Sequence, residues 1–125
     1  MSEAGAHDAG FSHAGLPDAG FSVIRLLGEA DAYTAPRIRD DLAAAVDTEA
    51  PLVIDLSGAT FIDSTIVGVL LESRKHYEQL HRQFLLLLPD DAAPQVHRLF
   101  DLTGLAGLLP VVRTWEEAAS KTQQA

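Results

Sequence analysis

Short apolar runs alternating with amphipathic stretches predict an α/β fold, a mixed and mostly parallel β-sheet of four to five strands covered by about four helices. Three observations carry this. Leu52-Val53-Ile54-Asp55-Leu56 and Phe84 to Leu88 are apolar runs of strand length with little alternation, as expected of strands covered on both faces. Apolar residues with helical spacing follow each run. Pro, Gly and Asp clusters separate the two kinds of segment.

Taken in order, residues 1–9 read as a flexible tail, 10–120 as one domain and 121–125 as a C-terminal tail. Gly10 to Ala14 reads as a weak edge strand, and Pro17-Asp18-Ala19-Gly20 as the turn closing a hairpin onto Phe21 to Leu27. Gly28-Glu29-Ala30-Asp31 ends that strand. Thr34 is placed as the N-cap of the first helix, with Pro36 in its first turn and Ile38, Leu42, Ala45 and Val46 on one face. Asp47 to Pro51 breaks the helix before the strand at Leu52. A short loop through Asp63 leads into a second helix, Ser64 to Leu80, which is polar from Glu72 onward. After Phe84 to Leu88, Pro94 to Leu102 is helical, with Gly104 just past its end. Leu109 to Val112 reads as a short strand, and Thr114-x-x-Glu117 as a capping box opening the last helix.

Composition narrows the function. A chain of 125 residues with 47% hydrophobic and 22% charged content is long enough for one domain with a real core. Cysteine is absent, which removes disulfides, thiolate metal sites and cysteine nucleophiles. The net charge is -9, with Lys75 and Lys121 the only lysines, the opposite of what phosphate neutralisation on nucleic acid or an anionic membrane requires. No apolar run approaches a membrane span, and residues 1–20 lack the basic start and apolar core of a secretory signal. A cytoplasmic protein that meets other proteins is the expectation.

Five histidines raise the question of metal chemistry. His7 and His13 fall in the weakly patterned start, His76 and His81 are five apart and do not stack on one helix face, and His97 stands alone. They read as surface histidines, with no cofactor or metal implied. No phosphate-binding glycine loop follows a strand, and no G-x-S-x-G elbow occurs. Asp55 ends a strand where a phospho-accepting aspartate would stand. The late lysine of that chemistry is missing, since Lys121 falls in the terminal helix and Arg113 is a poor substitute. Asp55 therefore reads as a strand-end carboxylate bonded to a loop backbone. Glu29, Asp31, Asp55 and Asp63 all fall near strand ends, where α/β folds place their sites. They read as loop caps and contact residues rather than as a catalytic pair, and the chain reads as a non-enzyme.

Asp63-Ser64-Thr65 is the richest segment. Hydroxyls at a helix start are either N-caps or groups displayed beside unpaired N–H donors and the positive helix end, where a phosphate is stabilised. Both readings stay open on the local sequence. Phe61, Ile66 and Val67 beside them are either core or contact area.

In order and spacing, Ile24 to Asp31, Leu52 to Ser57, Phe61 to Thr65, Val67 to Leu71 and Val96 to Leu105 resemble a STAS domain of the anti-sigma-factor antagonist family. The resemblance covers roughly residues 10–120. It implies a protein that binds an anti-sigma factor with an ATPase-type serine kinase domain and so frees a sigma factor. That kinase would inactivate its antagonist by phosphorylation, and a serine/threonine phosphatase would reverse it. By position the acceptor is Thr65, with Ser64 second and Asp63 the acid before the pair, and Asp31 matches an acidic position near the partner surface. The expected partner-binding set is Asp31, Asp63 and Ser64, joined by Ile66 and Val67 as apolar contact area beside the loop. The family pattern commonly has Gly after the acceptor, where this chain has Ile66. The competing reading within the resemblance is a non-phosphorylated interaction or scaffold subunit, of the stressosome or phospholipid-transport kind.

Overall fold

The computed structural model describes residues 10–12 and 20–123. The tail over 1–9 and the turn residues Pro17, Asp18 and Ala19 lie outside this set.

The main sheet has five strands in the order β1 (Gly10–Ser12), β2 (Ser22–Arg25), β4 (Leu52–Asp55), β6 (Phe84–Leu87) and β7 (Val111–Val112). β1 pairs antiparallel with β2, and every other neighbour is parallel. Helices α1 (Ala35–Val46), α2 (Ser64–Gln79), α3 (Pro94–Thr103) and α4 (Trp115–Thr122) cover it. The expected α/β architecture is the one observed.

Register explains why the strands read as continuous apolar runs. Val23, Val53 and Leu85 lie abreast, as do Ile24, Ile54 and Leu86, and each set points to an opposite face. The Ile24 row joins the larger core, with Ile38 and Leu42 of α1, Leu70 of α2 and Phe100 of α3. The Val23 row joins a smaller core closed by Ala118, with the Trp115 ring stacked 6.2 Å from Phe21. Both faces are dry, so neither can carry alternating polar residues.

Between β2 and α1, and again between β4 and α2, the sequence suggests only strand ends and loops. The structure instead forms β3 (Gly28–Ala30) and β5 (Ala59–Ile62), a separate parallel pair. β5 has one strand neighbour, and Gln95 of α3 serves its other edge. The Gln95 side chain accepts from the Ile62 N–H at 3.0 Å and donates to the Ile62 carbonyl at 2.9 Å, as a neighbouring strand would.

Two helix starts differ from expectation. The Thr34 hydroxyl does not cap α1; it turns back to donate to the Asp31 carbonyl at 3.1 Å and to accept from the Asp31 N–H at 3.0 Å. At α4 the capping box forms, with Thr114 Oγ1 accepting from the Glu117 N–H at 3.0 Å. The Glu117 carboxylate reaches one residue further back than usual, to the Arg113 N–H at 2.8 Å. Gly104 ends α3 at φ 69, the left-handed conformation expected there.

Tyr77 is the largest fully buried side chain, and its hydroxyl makes no hydrogen bond among the described residues. Burial pushes the phenol above its ordinary pKa of 10.0, opposed by the Arg82 charge stacked over its ring at 5.7 Å. A raised pKa in the folded state means that this stability is complete below pH 10 and is lost as pH climbs past it. We expect Tyr77→Phe to stabilise the fold by about 1 kcal/mol, by removing an unsatisfied buried hydroxyl. Thermal melts from pH 8 to 11 should also show a shallower alkaline loss for the variant.

Candidate functional site

The acid, not a hydroxyl, caps α2. Asp63 has extended backbone (φ -105, ψ 178), and its Oδ1 accepts from the Ile66 N–H at 3.1 Å. Its Oδ2 accepts from the Ala32 N–H at 3.0 Å, thirty-one residues away in the β3–α1 loop. One carboxylate therefore holds a helix start and a loop together. The backbone adds a third tie, from the Asp63 N–H to the Ala30 carbonyl at 3.2 Å.

Because Asp63 takes the capping role, Ser64 and Thr65 are left displayed. Both side chains are exposed on the first turn of α2, and neither hydroxyl makes a hydrogen bond among the described residues. Ile66 follows in ordinary helical conformation and is fully buried in the larger core. This corrects the placement of Ile66 at the partner surface, since its side chain has no exposed area to offer a contact. Val67 is half-buried against the same core. The helix needs no glycine here. Among the described non-glycine residues only Glu49 and His81 have positive φ.

Asp31 organises the loop on the other side of the site. Its Oδ1 accepts from the Tyr33 N–H at 3.0 Å and the Thr34 N–H at 3.2 Å, an Asx-type turn. The turn presents Tyr33, which is 91% exposed and was missed by sequence reasoning. A tyrosine one residue before a helix cap reads as core or staple, and only the turn geometry shows it pointing outward. Phe61 is also exposed, on β5 in register with Glu29. Glu29, Asp31, Tyr33 and Thr60 line a shallow depression of about 330 Å³. The surface thus combines the displayed hydroxyls of Thr60, Ser64 and Thr65, the carboxylates of Glu29, Asp31 and Asp63, and the aromatic side chains of Tyr33 and Phe61.

The other carboxylate highlighted by the sequence stands apart. Asp55 is buried, accepts from the Ser57 N–H at 2.9 Å and pairs with Arg25 at 3.4 Å, its neighbour in register on β2. It is the loop-bound strand-end carboxylate that the sequence suggests. Among the described histidines, His76 and His81 are exposed and the His97 ring bonds the Pro89 carbonyl at 3.0 Å. Among the described residues no group of His, Asp and Glu is placed to hold a metal ion, and His7 and His13 lie outside that set.

Comparison with known proteins agrees with this architecture. An anti-sigma-B factor antagonist of Listeria monocytogenes is 34% identical over 89 residues, which is 70% of this chain and 75% of that protein. The crystal structure of an anti-sigma factor antagonist from Mycobacterium paratuberculosis is 30% identical and superposes with a TM-score of 0.70, covering 84% of this chain and 87% of that one. The Bacillus cell fate determinant SpoIIAA, solved in its phosphorylated form, is 27% identical with a TM-score of 0.60, covering 84% of this chain and 93% of its own. The STAS domain model matches residues 17–118. With that match, and with the doubly covered parallel sheet whose two small strands lead to an acid-capped helix, the chain belongs to the STAS domain family.

Proposed function

We propose that this protein is an anti-sigma factor antagonist, a regulatory binding module of the cytoplasm rather than an enzyme, whose partner is released by phosphorylation of Thr65. The observation that carries this reading is the exposed Thr65 hydroxyl on the first turn of α2, beside an acid that has already satisfied the helix cap. The names of the relatives support the partner class, an anti-sigma factor, and in our reading that partner carries an ATPase-type serine kinase domain. A serine/threonine phosphatase completes the cycle. A net charge of -9 argues against direct nucleic-acid contact, and no helix among the described residues is long and apolar enough to cross a membrane.

The physics of the switch follows from the site. A phosphoryl group on Thr65 adds roughly -1.5 to -2 charges next to Asp63. The N-terminal end of α2 offsets part of that charge within the free protein. In a complex the dianion would be taken out of water against the acids already present, which is costly without a cationic partner group. Dissociation is the result, with little rearrangement of the domain.

Tyr33 is the natural anchor of such an interface, a large side chain held outward by a backbone that Asp31 and Asp63 fix in place. With a purified anti-sigma kinase and ATP, intact mass should show one phosphate on the wild type and none on Thr65→Ala. A phosphate retained on Thr65→Ala moves the acceptor to Ser64. Titration calorimetry should show Thr65→Glu and Tyr33→Ala binding that kinase about tenfold or more weakly, with melting temperatures unchanged. Asp63→Asn keeps one acceptor and therefore the cap. We expect it to hold stability to within about 1 kcal/mol while amide hydrogen exchange at Ala32 accelerates.

A further inference from the structure

At the end of the sheet opposite Thr65, a cleft of about 320 Å³ opens between the second half of α2, the first residues of β6 and the end of α4. Arg74, Arg82 and Lys121 line it, three of only nine Lys and Arg in a chain of net charge -9. Glu78 is the one acid in its wall, and it opposes Arg74 only loosely, at 3.8 Å with its own side chain 66% exposed. Arg82 is built in place: one Nη1–H donates to the Val46 carbonyl at 2.8 Å, and the guanidinium stacks on Tyr77 at 5.7 Å. Most of its five N–H donors remain for another acceptor. Lys121 makes no ion pair among the described residues.

One further feature is specific. Phe84, Leu85 and Pro110 contribute apolar surface to the same cleft, directly beside the cations. A cluster of like charges is unfavourable without a counter-charge, and exposed apolar surface gains from being covered. One class of ligand satisfies both. We propose that this cleft binds a small organic anion: a carboxylate or phosphate head group for Arg74, Arg82 and Lys121, and an apolar body against Phe84 and Pro110. The site lies at the starts of β6 and β7, whereas Asp31 and Asp63 follow the C-terminal ends of β3 and β5, so it is separate from the surface around Thr65.

The test is a nuclear magnetic resonance titration of the full chain at low salt with three probes. N-acetylphenylalanine supplies a carboxylate and a ring. Phenyl phosphate supplies the phosphate alternative, and N-acetylphenylalanine amide is the uncharged control. Saturable shifts of the Gln83, Phe84 and Leu85 amides are expected with one or both anions, and binding by only one identifies the head group. The neutral amide, and the Arg74→Gln/Lys121→Gln variant with the anions, should each bind about tenfold or more weakly. Both changes lie at the surface, and an unchanged melting temperature verifies folding of the variant. The proposal fails if neither anion gives saturable shifts, if the shifts map elsewhere, if the neutral amide binds equally well, or if the double variant binds as the wild type does.

Discussion

The Asp63 carboxylate is the constraint on which the site depends. Its two oxygens accept from Ile66 at the start of α2 and from Ala32 in the β3–α1 loop. A single side chain therefore ties the helix start to the loop, adding to the Asp63 N–H to Ala30 carbonyl bond and the β3–β5 pairing that already join these segments. The scaffold behind it is equally economical. The two-stranded β3–β5 pair has little core of its own, and the Gln95 amide closes the open edge of β5 at Ile62, the residue just before Asp63. Sheet, cap and loop are therefore locked within a few residues of the displayed hydroxyls.

The separation of roles at this corner has a chemical consequence. Had Ser64 or Thr65 capped α2, any change to that hydroxyl would have removed a hydrogen bond from the helix start. Because Asp63 caps, neither hydroxyl is needed by the helix, while Ile66, immediately after them, stays buried in the core. Thr65 and Ile66 are adjacent in sequence yet differ in burial, because a step of one residue turns the side chain by about 100° around the helix, from the solvent side to the core side. A change at the Thr65 hydroxyl would therefore leave both the cap and the buried stripe of the helix in place.

The main sheet was legible in the sequence because its strands are covered on both faces, which leaves unbroken apolar runs such as Phe84 to Leu87. The burial of Ile66 was also legible in principle, since Ile66, Val69 and Leu70 share the i, i+3, i+4 spacing of a buried helical stripe. Its placement at the partner surface followed from its nearness to the Asp63 loop instead of from that spacing. The β3–β5 pair was not legible. Three and four residues, one beginning with glycine and the other exposing Thr60 and Phe61 in succession, produce neither alternation nor an apolar run. Gln95 was hidden for another reason: its partners lie thirty-three residues away, and no local pattern marks a glutamine that substitutes for a strand.

Ile66 is best understood through what the first turn of α2 must do. A glycine would leave that turn free to adapt its backbone, whereas an isoleucine with restricted χ1, fully buried at the third helical position, holds it in one geometry. Asp63 Oδ1 bonds the N–H of that same residue, so the side chain and the backbone of Ile66 are fixed by independent interactions. Position 66 therefore holds Ser64 and Thr65 on one backbone geometry, and it does so from inside the core.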